Sequence, residues 1–189
     1  MDVGIAYRRL AKDELVRVGE IDRTEHIERL YVQRGAELVE RVGDFSSPPW
    51  STHGDGEHSI AHQHAECERH VANGAIALGA FAGERLVGIG LVTPHVRPGV
   101  AQLAFLHVSN GSRGRGIGAR LTDELERLAR EAGDTEIVVS ATPSANTVRF
   151  YLGRGYAPTP DPLPELLALE PEDVHMRKQL SPSAAACTE

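Results

Sequence analysis

Arginine alternates with glycine through Arg113-Gly114-Arg115-Gly116-Ile117-Gly118, and that alternation is the strongest chemical signal in the chain. A glycine lacks a Cβ, so the backbone can take unusual dihedrals there and come close to a ligand. Amides at a helix start, together with the positive end of the helix dipole, suit a phosphate, and the two arginines add charge beside them. The flanking residues supply the framework. Leu103 to Val108 is an apolar run that fits a buried strand, and Ser109-Asn110-Gly111-Ser112 breaks it. Ile117, Leu121, Leu125, Leu128 and Ala132 then recur at helical spacing. Strand, glycine loop and helix in that order predict an anion site.

Two common anion motifs fit poorly. Gly114, Gly116 and Ala119 match the dinucleotide fingerprint, and Asp134 follows downstream, but a polar loop separates the strand from the first glycine and Asp134 precedes the next strand instead of ending it. No Lys-Ser or Lys-Thr follows the glycines, which argues against a nucleoside-triphosphate loop. Val108 to Gly118 instead resembles the acyl-CoA pyrophosphate loop of the GNAT superfamily of N-acetyltransferases. Downstream, Asn146-Thr-Val-Arg-Phe150-Tyr151-Leu-Gly-Arg-Gly155-Tyr156 resembles that family's segment ending in Phe-Tyr, a short turn and Gly-Phe or Gly-Tyr. The resemblance is specific over about Ala75 to Tyr156.

The resemblance implies a reaction and a set of roles. An acyl group, most often acetyl, passes from acetyl-CoA as co-substrate to a primary amine without a covalent enzyme intermediate. Main-chain groups at Leu106, His107 and Val108 would pair with the pantetheine arm, the amides of Arg113, Gly114, Arg115, Gly116, Ile117 and Gly118 would hold the pyrophosphate, and Asn146 would contact CoA. Tyr151 matches the family's general acid, a phenol that stays protonated at neutral pH, with a packing aromatic as the alternative. Asp22 and Glu25 fall where the family forms its acceptor site and could attract a cationic amine; two solvated loop acids would look the same. An acyltransferase with another donor, or a non-catalytic CoA-binding domain, would carry the same glycine loop.

An attacking amine must be neutral and a leaving thiolate needs a proton. Three side chains are candidate bases: Glu25, His64 and His107; relay through water to a backbone carbonyl would need none of them. His64 sits on the apolar face of a helical stretch from Ser59 to Val71, with Ile60, Cys67 and Val71, while His107 could face either side of its strand. Trp50, in the irregular Asp44 to Glu57 stretch, could line the acceptor pocket or anchor its loop on the core. His58, His62, Glu66 and His70 recur at i, i+4 spacing, but no framework of cysteines or carboxylates completes a recognisable site, so no metal is expected.

The rest of the chain reads as support for this centre. Its 189 residues, 41% hydrophobic, are enough for one domain over 1–180. A formal charge of −7 offers no basic surface for nucleic acid or an anionic membrane and favours a small amine as partner. The start MDVGIAYRRL lacks an apolar signal core, which points to a cytoplasmic protein, and a homodimer is compatible with the reading. Ile5 to Arg9 predicts a strand, Lys12 to Ile21 a helix, and Ile27 to Gln33 with Glu37 to Val42 a hairpin, a helix in its first half being the alternative. Ala75 to Phe81, Leu86 to Val92 and the central strand form a meander; Glu136 to Ser140 and Val174 to Leu180 are strands, and Ser144 to Leu152 a short helix. Together these predict a mixed α/β fold whose mostly antiparallel sheet splays between two strands with a helix pair on each side. Residues 181–189 are small and polar and read as a disordered tail.

Overall fold

Three apolar runs separated by turn residues lay down the middle of the sheet. In the computed structural model, which describes residues 4–180, they become β4 (Ile76–Ala82), β5 (Arg85–Arg97) and β6 (Val100–Val108), paired antiparallel in sequence order. β1 (Ile5–Arg9) extends the sheet beyond β4. On the other side β7 (Glu136–Ala141) runs parallel to β6, and β9 (Val174–Gln179) and the short β8 (Ala157–Pro158) follow. The order is β1-β4-β5-β6-β7-β9-β8, with a single parallel pair.

That parallel pair is where the sheet opens. β6 meets β7 only through Val100–Gln102 against Glu136–Val138, although β6 continues to Val108 and β7 to Ala141. Along its other edge β6 stays paired to β5 as far as Val108, with a bulge on the way: Leu91 faces Phe105 and Val92 faces Leu103, leaving Ala104 without an opposite residue. A bulge sharpens the local twist and shifts the side-chain alternation by one. Accordingly, Ala101 and Leu103 before it, and Leu106 and Val108 after it, all pack into one core, whereas Phe105 packs into the other.

The two cores lie on opposite faces of the sheet. One is sealed by α2 (Ile117–Ala132) and α3 (Ala145–Gly153), the other by Lys12–Glu20 and α1 (Ile60–Ala72). Lys12–Glu20, expected as a helix, is a 3-10 helix of 9 residues. Its buried residues explain the tight winding, since Leu15, Val18 and the following Ile21 recur every third position, the period of a 3-10 turn. Ser59 caps α1, its Oγ accepting from His62 N, and Asn73 ends it. The predicted hairpin is longer than expected, β2 (Glu25–Arg34) and β3 (Glu37–Ser47), turns at Gly35 with φ +63°, and stands as a separate two-stranded sheet, so the helical alternative for Ile27 to Gln33 is overturned. It crosses the ends of β7 and β9: Tyr31 N donates to Pro143 O at 2.8 Å, and the Gln33 side chain accepts from His175 N and donates to Thr159 O. α4 (Pro164–Leu169) occupies the proline-rich stretch, and the expected tail at 181–189 lies outside the described residues.

Asp134, the acid that superficially completes a dinucleotide motif, is a structural residue here. Its side chain is fully buried and accepts two bonds from His95, from the amide at 3.1 Å and from Nδ1 at 2.9 Å. It thereby joins the end of α2 to the extension of β5. Asp134→Ala would orphan these donors and is expected to cost about 2 kcal/mol, seen as a fall in Tm of about 6 °C with CoA binding unchanged.

Candidate active site

The glycine loop has the geometry its composition predicts. Ser109 to Ser112 form a tight turn, and Gly114 and Gly116 adopt φ +73° and +77°, the left-handed region that glycine enters without steric cost. Gly116 is the N-cap of α2, whose first intrahelical bond runs from Arg120 N to Gly116 O at 3.0 Å. The amides of Ile117, Gly118 and Ala119 therefore belong to the helix turn whose donors lack intrahelical acceptors. A Cβ built on Gly111, Gly114 or Gly116 would meet no atom within 4 Å, so the outer side of the loop is open to a ligand. These residues fit a pyrophosphate.

Arg113 departs from its expected place. Its amide donates to Asn110 O at 3.2 Å and its guanidinium turns inward, Nε donating to Val108 O at 3.0 Å and the Nη atoms to the Thr24 and Arg23 carbonyls at 3.3 Å. The arginine thus ties the loop to the segment before β2 and does not cover the helix-start amides. Asp22 belongs to the same anchorage. It accepts from Thr24 N and Oγ1, bonds that hold its carboxyl below the usual range, while its amide and carbonyl bond Ser109 Oγ and Asn110 N. Glu25 spans the mouth of the opening: one oxygen accepts from Asn146 Nδ2 at 2.7 Å and the other lies 3.4 Å from Arg113 Nη1.

Leu106 and Val108 point toward α2, and His107 points the other way because of the bulge. Its ring sits 4.6 Å from Phe105 and meets Trp50 edge-on at 5.4 Å, with the Arg23 guanidinium stacked 4.3 Å above the indole. Desolvation, then the charges of Arg23 and Arg113, push the His107 pKa down to about 4. His107 is therefore neutral at physiological pH, and its affinity for a proton is weak. His64 lies elsewhere, in a surface hollow with Lys12, Asp13, Val16 and Glu68.

Tyr151 comes up from the opposite face. It is 4% exposed and wedged between the rings of Phe150 and Tyr156, with centroids 5.1 and 5.2 Å away. Among the described residues its hydroxyl has no hydrogen-bond partner, and burial, reinforced by the Asp173 carboxylate, raises its pKa well above that of an ordinary phenol. It is a protonated donor throughout the neutral range. Asp173 belongs to a cluster that sequence reasoning missed. Ser140 Oγ is hydrogen-bonded to His175 Nδ1 at 3.0 Å, His175 Nε2 to Glu170 O at 3.1 Å, and Asp173 N donates to Glu170 O at 3.2 Å. These residues come from β7, the turn after α4 and β9, and only the β7–β9 pairing brings them together. The run Glu170-Pro171-Glu172-Asp173 was the one visible trace. Among the described residues no three of His, Cys, Asp and Glu approach closely enough to hold a metal.

The sequence model described as "Acetyltransferase (GNAT) family" matches residues 36–156, both motifs included. The chain belongs to the GNAT family. A curated relative, N-acetyltransferase 8B of Rattus norvegicus, is 34% identical over 93 residues, which are 47% of this chain and 42% of the relative, so the chain matches less than half the length of that protein. Among solved GNAT-like structures, nourseothricin acetyltransferase superposes with a TM-score of 0.70 at 15% identity, covering 93% of this chain and 98% of the other. The PaiA N-acetyltransferase of Thermoplasma acidophilum, in complex with coenzyme A, gives 0.61 at 18% identity over 93% and 99%. An aminoglycoside 6'-N-acetyltransferase complexed with coenzyme A gives 0.52 at 20% over 68% and 83%. At these identities the likeness is one of fold.

Proposed function

We propose that the protein moves an acetyl group from acetyl-CoA to the primary amine of a small molecule, an amino acid, a polyamine or an amine-bearing metabolite or antibiotic, by direct attack through a tetrahedral intermediate. The observation that carries this is the opening between β6 and β7, with helix-start amides at one end and the unpaired hydroxyl of the Tyr151 ring below. In this reading the amides of Gly114 to Gly118 hold the pyrophosphate, and the unpaired edge of β6 from Leu106 to Val108 takes the pantetheine arm as a strand takes a neighbour. Asn146 sits across from that edge, where it could contact the arm once released from Glu25. Acetyl-CoA, when bound, supplies the thioester; Tyr151 gives its proton to the departing sulfur. The aromatic wall of Trp50 and His107 faces the acceptor. Relatives named for nourseothricin and for the 6'-nitrogen of aminoglycosides support an amine acceptor.

The test is release of free thiol from acetyl-CoA in the presence of amino acids, polyamines and aminoglycosides. Turnover with one amine class is expected. Tight CoA binding with no turnover, while another acyl-CoA does react, would exclude acetyl as the transferred group.

A further inference from the structure

Building on the N-acetyltransferase reading, we infer that the acceptor is a small amine that carries a carboxylate, an amino acid by chemical class, and that Arg23 and Trp50 hold this carboxylate beside His107 at the mouth of the opened sheet. Two donors point to it. Arg23 Nη1 and Trp50 Nε1 are both buried, and among the described residues neither has a hydrogen-bond partner. A guanidinium and an indole N–H can only donate, so what satisfies them is an acceptor. Buried donors of this kind are costly and few in folded proteins, and two of them fall on one stacked pair, the Arg23 guanidinium carbon lying 4.3 Å from the centre of the indole ring. Trp50 is only 9% exposed, so its N–H is fixed by packing and does not swing out to solvent.

Backbone bonds fix where this pair stands. The Asp22 carbonyl accepts from Asn110 N at 2.8 Å, and the Arg23 and Thr24 carbonyls accept from the Arg113 guanidinium at 3.3 Å, so Arg23 is held against the start of the glycine loop. Trp50 meets the His107 ring edge-on at 5.4 Å, and His107 lies on the part of β6 that β7 no longer pairs, since their ladder ends with Gln102 opposite Val138. The stack therefore borders the stretch of β6 that takes the pantetheine arm in the proposed reaction. Arg23 is half-buried, which leaves the guanidinium within reach of a small solute.

Charge decides the class of ligand. Arg113, the other cation beside His107, spends its guanidinium on the carbonyls of Arg23, Thr24 and Val108 and lies 3.4 Å from Glu25. Arg23 has an aromatic face and no carboxylate among the described residues, and burial, unopposed by any acid, pulls its pKa down. A guanidinium is a planar fork that matches the two oxygens of a carboxylate, and the indole beneath sets the plane of that fork. An amino acid brings one charge of each sign, its carboxylate to Arg23 and its amine toward the thioester. A polyamine or an aminoglycoside brings only further positive charge against the fork.

The experiment sets amino acids against their carboxamides, with a polyamine and an aminoglycoside alongside, in wild type and in Arg23→Gln. Wild type is expected to prefer the acid to its amide by about 10²-fold in kcat/KM, the worth of charge-assisted hydrogen bonds in a shielded site. Arg23→Gln should lose most of that preference through KM. Equal rates on acid and amide, a polyamine or aminoglycoside as the best acceptor, or a preference that survives Arg23→Gln would overturn the assignment. So would a preference for a dicarboxylic acyl-CoA that the variant abolishes, since the carboxylate would then belong to the donor. Trp50 is the only tryptophan, which gives a second readout independent of turnover and of the folding of any variant. Wild-type tryptophan emission, with CoA present, should change saturably with the acid and ignore its amide; no response to the acid would overturn the site. If emission answers to the acid but no amine is acetylated, the carboxylate site stands and the N-acetyltransferase reading fails. Acetylation of amines regardless of a carboxylate would keep that reading and overturn this inference alone.

Discussion

Tyr151→Phe is expected to lower kcat about 10³-fold, about 4 kcal/mol of transition-state stabilisation, with little change in Tm or in CoA affinity. The substitution deletes one oxygen. The ring contacts to Phe150 and Tyr156 remain, and no hydrogen bond to a described residue is lost, so the core is undisturbed. In the proposed reaction the rate suffers because the variant has no phenol proton to give, while the ring keeps its place, 4% exposed, between Phe150 and Tyr156. The pH dependence gives a second reading. Burial raises the phenol pKa, so the neutral form persists above pH 10 in the folded chain, whereas an unfolded tyrosine ionises near 10. A raised folded pKa means that this stabilisation is complete below the unfolded value and is lost as pH rises toward the folded one. Wild type should therefore lose stability in strong alkali more steeply than Tyr151→Phe, while its kcat shows no alkaline limb near 10. A variant with wild-type kcat would leave Tyr151 as a packing aromatic.

Why the shape of the glycine loop was legible and that of the wall across the opening was not is a matter of chain distance. The glycine loop is local: a strand, a turn and a helix start within one stretch, with the change from period two to helical spacing marking the boundary. The Tyr151 segment is local too: the short helix expected from Ser144 to Leu152 is found over Ala145–Gly153, with Ser144 as its cap. The bonds that join Ser140, His175 and the Glu170 carbonyl need the register of β7 against β9, which no local pattern carries. His107 shows the same limit in one residue. Alternation alone leaves its side undecided, and the extra residue at Ala104, invisible as a motif, turns it toward Trp50. In Lys12–Glu20, spacings of three and 3.6 residues are indistinguishable over so short a run, and packing chose the tighter helix.

Gly116→Val is expected to raise the KM for acetyl-CoA, and the Kd for CoA, by at least about 10²-fold, the two energies involved being separable. At φ +77° a β-branched residue strains the backbone by about 1–2 kcal/mol. Its side chain would meet no protein atom within 4 Å, so the protein itself does not clash. The remaining loss can come only from the space that the side chain takes on the open side of the loop and from the helix-start amides it displaces. Gly83→Val is the matched control. Gly83 also has positive φ, +61°, and open space around its missing Cβ, but it lies in the turn between β4 and β5. Both variants should lose similar stability in thermal unfolding; only Gly116→Val should lose CoA in a binding titration. Equal CoA affinity in the two would show that the glycine loop is a connector between strand and helix, and would move the anion site elsewhere on the fold.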